Sequence, residues 1–259
     1  MDYRIDYCCL SDTGRVRRQN QDNLYFPGHR PKPEAPLEGG MAEGSVFASA
    51  QPVFGVFDGM GGEARGEMAA WIAAQAASRF GFSDPDGFES FCREANRRVC
   101  AWAEAHHVGC MGTTAALLRF SAGEVGICGL GDSRVYCWRS GALHQLTRDH
   151  VYPAAGGRKP PLVQFLGIPE DQLRLEPCLA AVRPEPGDRF LACSDGLTDM
   201  VPARRIAEAL AAGSAREAAE SLMALALEAG GRDNITLMLC DIEKEWAPCG
   251  GVRMDAVDR

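Results

Sequence analysis

Short apolar runs alternate with polar, glycine-punctuated breaks along this chain, and two of the runs end in the same dipeptide. Val53-Phe54-Gly55-Val56-Phe57 runs into Asp58-Gly59, and Phe190-Leu191-Ala192-Cys193-Ser194 runs into Asp195-Gly196. Asp233 opens a third run, Asn234-Ile235-Thr236-Leu237-Met238-Leu239. Continuous apolar runs of this length read as strands buried on both faces, so the polar residues at their ends fall on the rim of a sheet. Around them the pattern predicts a weak first strand within 1–10, an exposed Pro/Gly/Glu-rich loop over 27–45, and helices over about 63–80 and 85–107. Strands at 113–120, 124–130, 133–138 and 142–146, separated by Ser121-Ala122-Gly123, Gly131-Asp132 and Arg139-Ser140-Gly141, form an antiparallel meander. Residues 151–178 have little periodicity and read as a loop-rich excursion. A strand at 188–194, alanine-rich helices near 202–212 and 214–229, and a last strand at 235–242 follow; no pattern remains after Trp246. Strands and helices come in blocks rather than regular βαβ units, which predicts an α+β fold with antiparallel sheets.

Composition narrows the partners. The 259 residues suit one large domain or two small ones, with enough chain to bury a sizeable core. There are 27 basic against 35 acidic residues, a net charge of −8, which argues against nucleic acid or an anionic membrane as the main partner. The 11 cysteines include no CxxC pair, and Cys128, Cys137, Cys193 and Cys240 lie inside apolar runs. That suits reduced, buried thiols in a reducing cytoplasm better than zinc or disulfides. No signal-peptide pattern is visible at the N-terminus, and no run approaches the ~18 apolar residues of a membrane span. A cytoplasmic protein is expected.

The acids at the strand ends carry the chemistry. Asp-Gly is a common turn, and either pair alone is as well explained that way. Asp22, in Gln19-Asn20-Gln21-Asp22-Asn23, reads alone as a polar turn. Asp132 sits at a hairpin tip, where Arg134 could pair with it on the surface. Were several of these acids to share one rim, two carboxylates 4 Å apart would repel by ~4 kcal/mol at an effective dielectric of 20, and the cluster would need cations. Oxygen-only ligands select Mg²⁺, Mn²⁺ or Ca²⁺ over zinc. His106 and His107 read as surface residues at a helix end, and His144 and His150 as structural.

The segments RVRRQNQD (15–22), VFGVFDGMGG (53–62), GTT (112–114), GDSR (131–134), LTRDH (146–150), LACSDGL (191–197) and GGRDNITLMLCDI (230–242) occur in an order that resembles the type 2C, or PPM, family of metal-dependent Ser/Thr phosphatases, in its bacterial branch. The likeness spans residues 3–242. It implies two stacked antiparallel β-sheets flanked by helices on both sides, as a single phosphatase domain over 1–245 with a shortened, divergent flap near 151–178 and a tail at 246–259. It implies hydrolysis of phosphoserine and phosphothreonine by direct attack of a metal-bridged hydroxide, opposing a bacterial Ser/Thr kinase. Two Mn²⁺ or Mg²⁺ ions are implied, and a third held more weakly. Carried over by motif, Asp58 bridges both metals, Gly59 offers its carbonyl to the second, and Asp195 and Asp233 complete the first. Asp132 helps hold the third ion, Asp22 supports the bound waters, and Arg17 grips the substrate phosphate, with Arg18 an adjacent competitor. Gly196 is expected to be only a turn. The implied partners are phosphorylated proteins, including a Ser/Thr kinase, with no nucleic acid or membrane, and the chain is expected to be a monomer.

Departures from the family pattern accompany the likeness. Gln21 stands where many relatives have Glu, so the second metal would be held more by water. Met60 stands where animal members have a histidine, and methionine cannot donate a proton. The flap is reduced to Leu162-Val163-Gln164-Phe165-Leu166-Gly167 in its recognisable part. The alternative function on this fold is a pseudophosphatase or phosphoprotein-binding module, which predicts loss of metal acids.

Overall fold

The computed structural model describes residues 2–61, 65–82, 87–153, 159–211 and 213–243, apart from the side chain of Glu38. The predicted helix starts at 63 and 85, and the tail after Trp246, lie outside them. The N-terminal half contains β1 (Arg4–Asp12), β2 (Asn23–Tyr25), β3 (Met41–Phe47), β4 (Val53–Phe57), β5 (Gly59–Met60), α1 (Gly66–Arg79), α2 (Gly87–Ala105), β6 (Gly112–Thr113) and β7 (Ala115–Phe120). The remainder contains β8 (Val125–Leu130), β9 (Arg134–Arg139), β10 (Ala142–Gln145), β11 (Cys178–Val182), β12 (Arg189–Cys193), α3 (Asp195–Thr198), α4 (Ala203–Leu210), α5 (Ala215–Glu228) and β13 (Ile235–Ile242).

The long strands form two antiparallel sheets, ordered β10-β9-β12-β13-β1-β3 and β11-β8-β7-β4-β2, with β5 and β6 as a separate two-stranded ribbon. Side chains alternate between faces along each strand, and here both faces are covered. In β13, Met238, Cys240 and Ile242 enter the core between the sheets, while Ile235, Leu237 and Leu239 pack under α4 and α5. In β4, Phe54 and Val56 face the other sheet, while Val53 and Phe57 face α1 and α2. That two-sided burial is why the strand sequences are continuously apolar although the sheets are antiparallel. Ala70, Ala73, Ala74 and Ala77 let α1 lie close on its sheet. A capping box starts α5: the Glu217 N–H donates to Ser214 Oγ, and the Ser214 N–H donates to Glu217 Oε2 at 2.8 Å. The result is the expected sandwich of two sheets between two helical layers.

The differences from the sequence reading fall at sheet edges. The loop expected over 27–45 ends early, because β3 starts at Met41 and pairs with β1 as an edge strand. The excursion expected over 151–178 runs into a strand the pattern does not predict, β11 (Cys178–Val182), which pairs with β8. The strand expected over 113–120 breaks at Thr114, whose side chain is used elsewhere. Arg134 does not pair with Asp132; it grips Asp149 through Nε and Nη2 at 2.7–3.0 Å.

Register brings the motif residues to one end of the sandwich. Asn23 opposes Phe57, which sets Asp22 beside Asp58. Cys193 opposes Leu237, which sets the end of β12 beside the start of β13, and Asp195 on the same rim as Asp233. Ala115 opposes Leu130, which brings Thr114 to the β8–β9 turn that carries Asp132.

Candidate metal centre

Asp58 is held by its backbone. Its N–H donates to Thr114 Oγ1 at 3.0 Å, and the Thr114 N–H returns to the Asp58 carbonyl at 2.9 Å. Thr114 Oγ1 also shares a 2.6 Å hydrogen bond with Ser133 Oγ beside Asp132. Thr114 thus acts as a brace across the rim, while Thr113 is a strand residue of β6. Gly59 follows in a place where a Cβ would collide with the backbone carbonyls of Gln21 and Gly66, so the residue after Asp58 must lack one. Gly196 is constrained in the same way, against the Asn234 carbonyl, and lies inside α3. It is a close-packing requirement, not the simple turn that was expected.

Asp22 is buried, and Ser194 Oγ donates to its Oδ2 at 2.8 Å. Burial pushes its carboxyl up to about 6, against the opposing hydrogen bonds from Thr236 and Ser194. The Asp58 carboxyl is driven well above the ordinary range, first by burial and then by the charges of Asp22, Asp132 and Asp233. Asp233 Oδ2 accepts from Arg17 Nη2 at 2.7 Å, and its Oδ1 accepts from the Asn234 N–H at 2.8 Å. Lys159, from the flap, reaches Asp132 at 3.3 Å and Asp199 at 3.1 Å, and pairs with Asp195. Asp58 also lies within reach of the Lys159 charge.

Asn234 orders the segment that carries Arg17 and Asp22. Its Nδ2 donates to the carbonyls of Thr13 and Gln19, both at 2.9 Å, and its Oδ1 accepts from the Gln21 N–H at 2.8 Å. Removing the amide leaves these backbone groups without their partner. Asn234→Ala is expected to cost about 2–3 kcal/mol, lowering Tm by roughly 5–10 °C; a thermal melt at the wild-type Tm would contradict this role. Gln21 Nε2 in turn donates to Glu67 Oε2 at 3.2 Å, which places a carboxylate of α1 behind the neutral amide.

The motif acids therefore gather at one rim: Asp58 feels the charges of Asp22, Asp132 and Asp233, and Lys159 joins Asp132 to Asp195. Among the described residues, no three His, Cys, Asp or Glu side chains already stand at the spacing of a closed cage. Arg17 holds Asp233 from one side, and Lys159 holds Asp132 and Asp195 from the other. The donors are all oxygens, from carboxylates and a backbone carbonyl at a fixed glycine, and the Asp58 carboxyl is raised by burial and by the neighbouring carboxylates. Such a set fits hard divalent cations and not zinc. The larger clefts, of about 630 Å³ beside Tyr3 and Arg183 and about 680 Å³ beside Asn96 and Arg174, lie away from these acids. His150 is structural: its Nδ1 accepts from the Gly131 N–H at 3.2 Å, and burial lowers its basicity. His144 is exposed on β10, and His106 stacks on Trp102 at the end of α2.

Two contributors escaped the sequence reading. Asp199 carries a signal, because it lies one helical turn after Asp195. Lys159 carries none, because its acidic partners are all distant in sequence.

Comparisons with known proteins bear on the family and the fold. The family profile for protein phosphatase 2C matches residues 42–229. The chain is 32% identical over 255 residues to the serine/threonine protein phosphatase PstP of Mycobacterium tuberculosis, covering 92% of this chain but only 45% of that protein's length. It is 29% identical to the serine/threonine phosphatase stp of Listeria welshimeri, covering 89% of this chain and 93% of the relative. The crystal structure of the PstP catalytic domain in complex with two manganese ions superposes with a TM-score of 0.73 at 30% identity, over 93% of this chain and all of that one. By family profile, sequence identity and architecture, the chain belongs to the protein phosphatase 2C family.

Proposed function

We propose that this chain is a bacterial protein Ser/Thr phosphatase that uses two Mn²⁺ or Mg²⁺ ions. The observation that carries this reading is the convergence of Asp22, Asp58, Asp132, Asp195 and Asp233, from separate segments, on one rim. Asp58 would hold both ions, with the Gly59 carbonyl on the second and Asp195 and Asp233 completing the first. When bound, the ions supply an acidified water at neutral pH and neutralise phosphoryl oxygens. The chain's own residues do the rest. Arg17 stands exposed at the opening, where its planar fork suits two phosphate oxygens. Asp22, buried and held by Ser194, would accept a hydrogen bond from water at the centre. Thr114 and Ser133 keep Asp58 and Asp132 at fixed separation. Met60 cannot act as a proton donor, so protonation of the leaving group falls to water.

A binding-only module would tolerate loss of the acids, whereas this chain keeps all of those its motifs predict. The domain would extend over 1–245 with a shortened flap near 151–178, and act as a cytoplasmic monomer on phosphoproteins, including a Ser/Thr kinase. Among the described residues, no helix is long and apolar enough to cross a membrane. Purified protein is expected to hydrolyse p-nitrophenyl phosphate with Mn²⁺, to stop on chelation, and to lose turnover in Asp195→Asn while keeping its circular dichroism spectrum. Chelator-resistant hydrolysis, or full activity in Asp195→Asn, would overturn the reading.

A further inference from the structure

Lys159 stands on an arm of the flap fastened to the rim. Val151 and Leu162 form an isolated β-bridge, the Tyr152 N–H donates to the Pro161 carbonyl at 3.0 Å, and the Val163 N–H donates to the His150 carbonyl at 2.9 Å. Pro160 and Pro161 follow the lysine directly and bias its backbone to extended conformations. From this position Nζ reaches Asp132 at 3.3 Å and Asp199 at 3.1 Å, and pairs with Asp195. Asp195 and Asp199 are one helical turn apart, joined by a 2.8 Å hydrogen bond from the Asp199 N–H to the Asp195 carbonyl. Lys159 and these three acids border a cavity of about 80 Å³. Arg134 is close by, but its fork is taken up by Asp149.

We propose that Lys159 is the resident cation of the Asp132–Asp195–Asp199 pocket and takes the place of a third divalent ion. This rests on the metal reading above. An ammonium has three donors and meets three carboxylates here, which matches its hydrogen-bonding capacity. A divalent ion in the same pocket would face that ammonium at close range, so lysine and ion exclude one another. The same contact fastens the flap to the rim. Flap docking and third-ion binding are therefore alternative states, and the docked state needs only two divalent ions.

The test is to count Mn²⁺ bound to the full chain by isothermal titration calorimetry. The wild type is expected to bind two ions. Lys159→Met is expected to bind a third, with third-site affinity raised at least about tenfold by removal of the opposing charge. Lys159→Arg keeps the cation and should stay at two, and Lys159→Met combined with Asp199→Asn should return to two. Lys159 is half exposed, so its replacement leaves the core intact, and a thermal melt checks this. A third ion bound equally well by wild type and Lys159→Met would overturn the proposal. Two ions in both would overturn it while leaving the metal reading intact, whereas no Mn²⁺ bound by the wild type would overturn both.

Discussion

Replacing Asp58 by asparagine is expected to lower turnover by at least about 10³-fold while making the metal-free protein more stable. The loss of activity follows from position. Asp58 is the carboxylate proposed to touch both cations, and each pKa unit by which the attacking water becomes less acidic removes about tenfold of hydroxide at neutral pH. The gain in stability follows from charge. The Asp58 carboxyl is raised well above its ordinary 3.8 by burial and by Asp22, Asp132 and Asp233. A carboxyl raised in the folded state holds its proton better when folded. Metal-free wild type therefore loses stability as pH rises from about 3.8 through that raised value. An asparagine escapes this penalty, so its advantage is largest above neutrality and fades towards pH 4. That relief should place the Tm of metal-free Asp58→Asn above that of the wild type. Saturating Mn²⁺ should reverse the order, since an ion at 100 times its Kd stabilises the wild type by about 2.7 kcal/mol. Thermal melts of both proteins with and without Mn²⁺ check this; a metal-free Asp58→Asn that melts below wild type would contradict the electrostatic account.

The second large effect is expected at Arg17. Arg17→Ala should lower kcat/KM towards a phosphothreonyl peptide by about 10²-fold, the scale of losing one preorganised donor to a phosphoryl oxygen. Arg17→Lys should recover little, because a point charge cannot replace a two-pronged contact. Stability should hardly change. The Arg17–Asp233 pair is 51% and 37% exposed, and solvent-exposed pairs contribute less than about 1 kcal/mol. Steady-state kinetics on both variants, beside their melts, separates substrate binding from a role confined to holding Asp233. An unchanged kcat/KM in Arg17→Ala would contradict a contact with the substrate phosphate.

The central strands could be read from the sequence because two-sided burial leaves a continuous apolar signature. Phe190 and Leu191 face opposite layers of the core, and so do Leu237 and Met238. The edges could not be read in the same way. In β3, Met41–Phe47 has no fully buried residue, and β11 alternates between half-buried and exposed positions, so their partners rather than their composition make them strands. The candidate site was legible where acids end apolar runs and motif order added weight to each. It was not legible where function depends on reach. Lys159 meets Asp132, Asp195 and Asp199 only after the flap folds over the rim. Gly196 looks like a turn residue until the Asn234 carbonyl is placed against it. Asn234 looks like the polar start of a strand until its amide is found holding Thr13, Gln19 and Gln21.

The central claim is that the rim acids hold two divalent cations with Asp58 between them. Crystals grown with Mn²⁺ and measured for anomalous scattering at the manganese edge test it most directly. The account predicts two strong anomalous peaks, both within about 2.0–2.6 Å of an Asp58 oxygen, one also touching Asp195 and Asp233 and the other the Gly59 carbonyl. A single peak remote from Asp58, or none at saturating Mn²⁺, would contradict it.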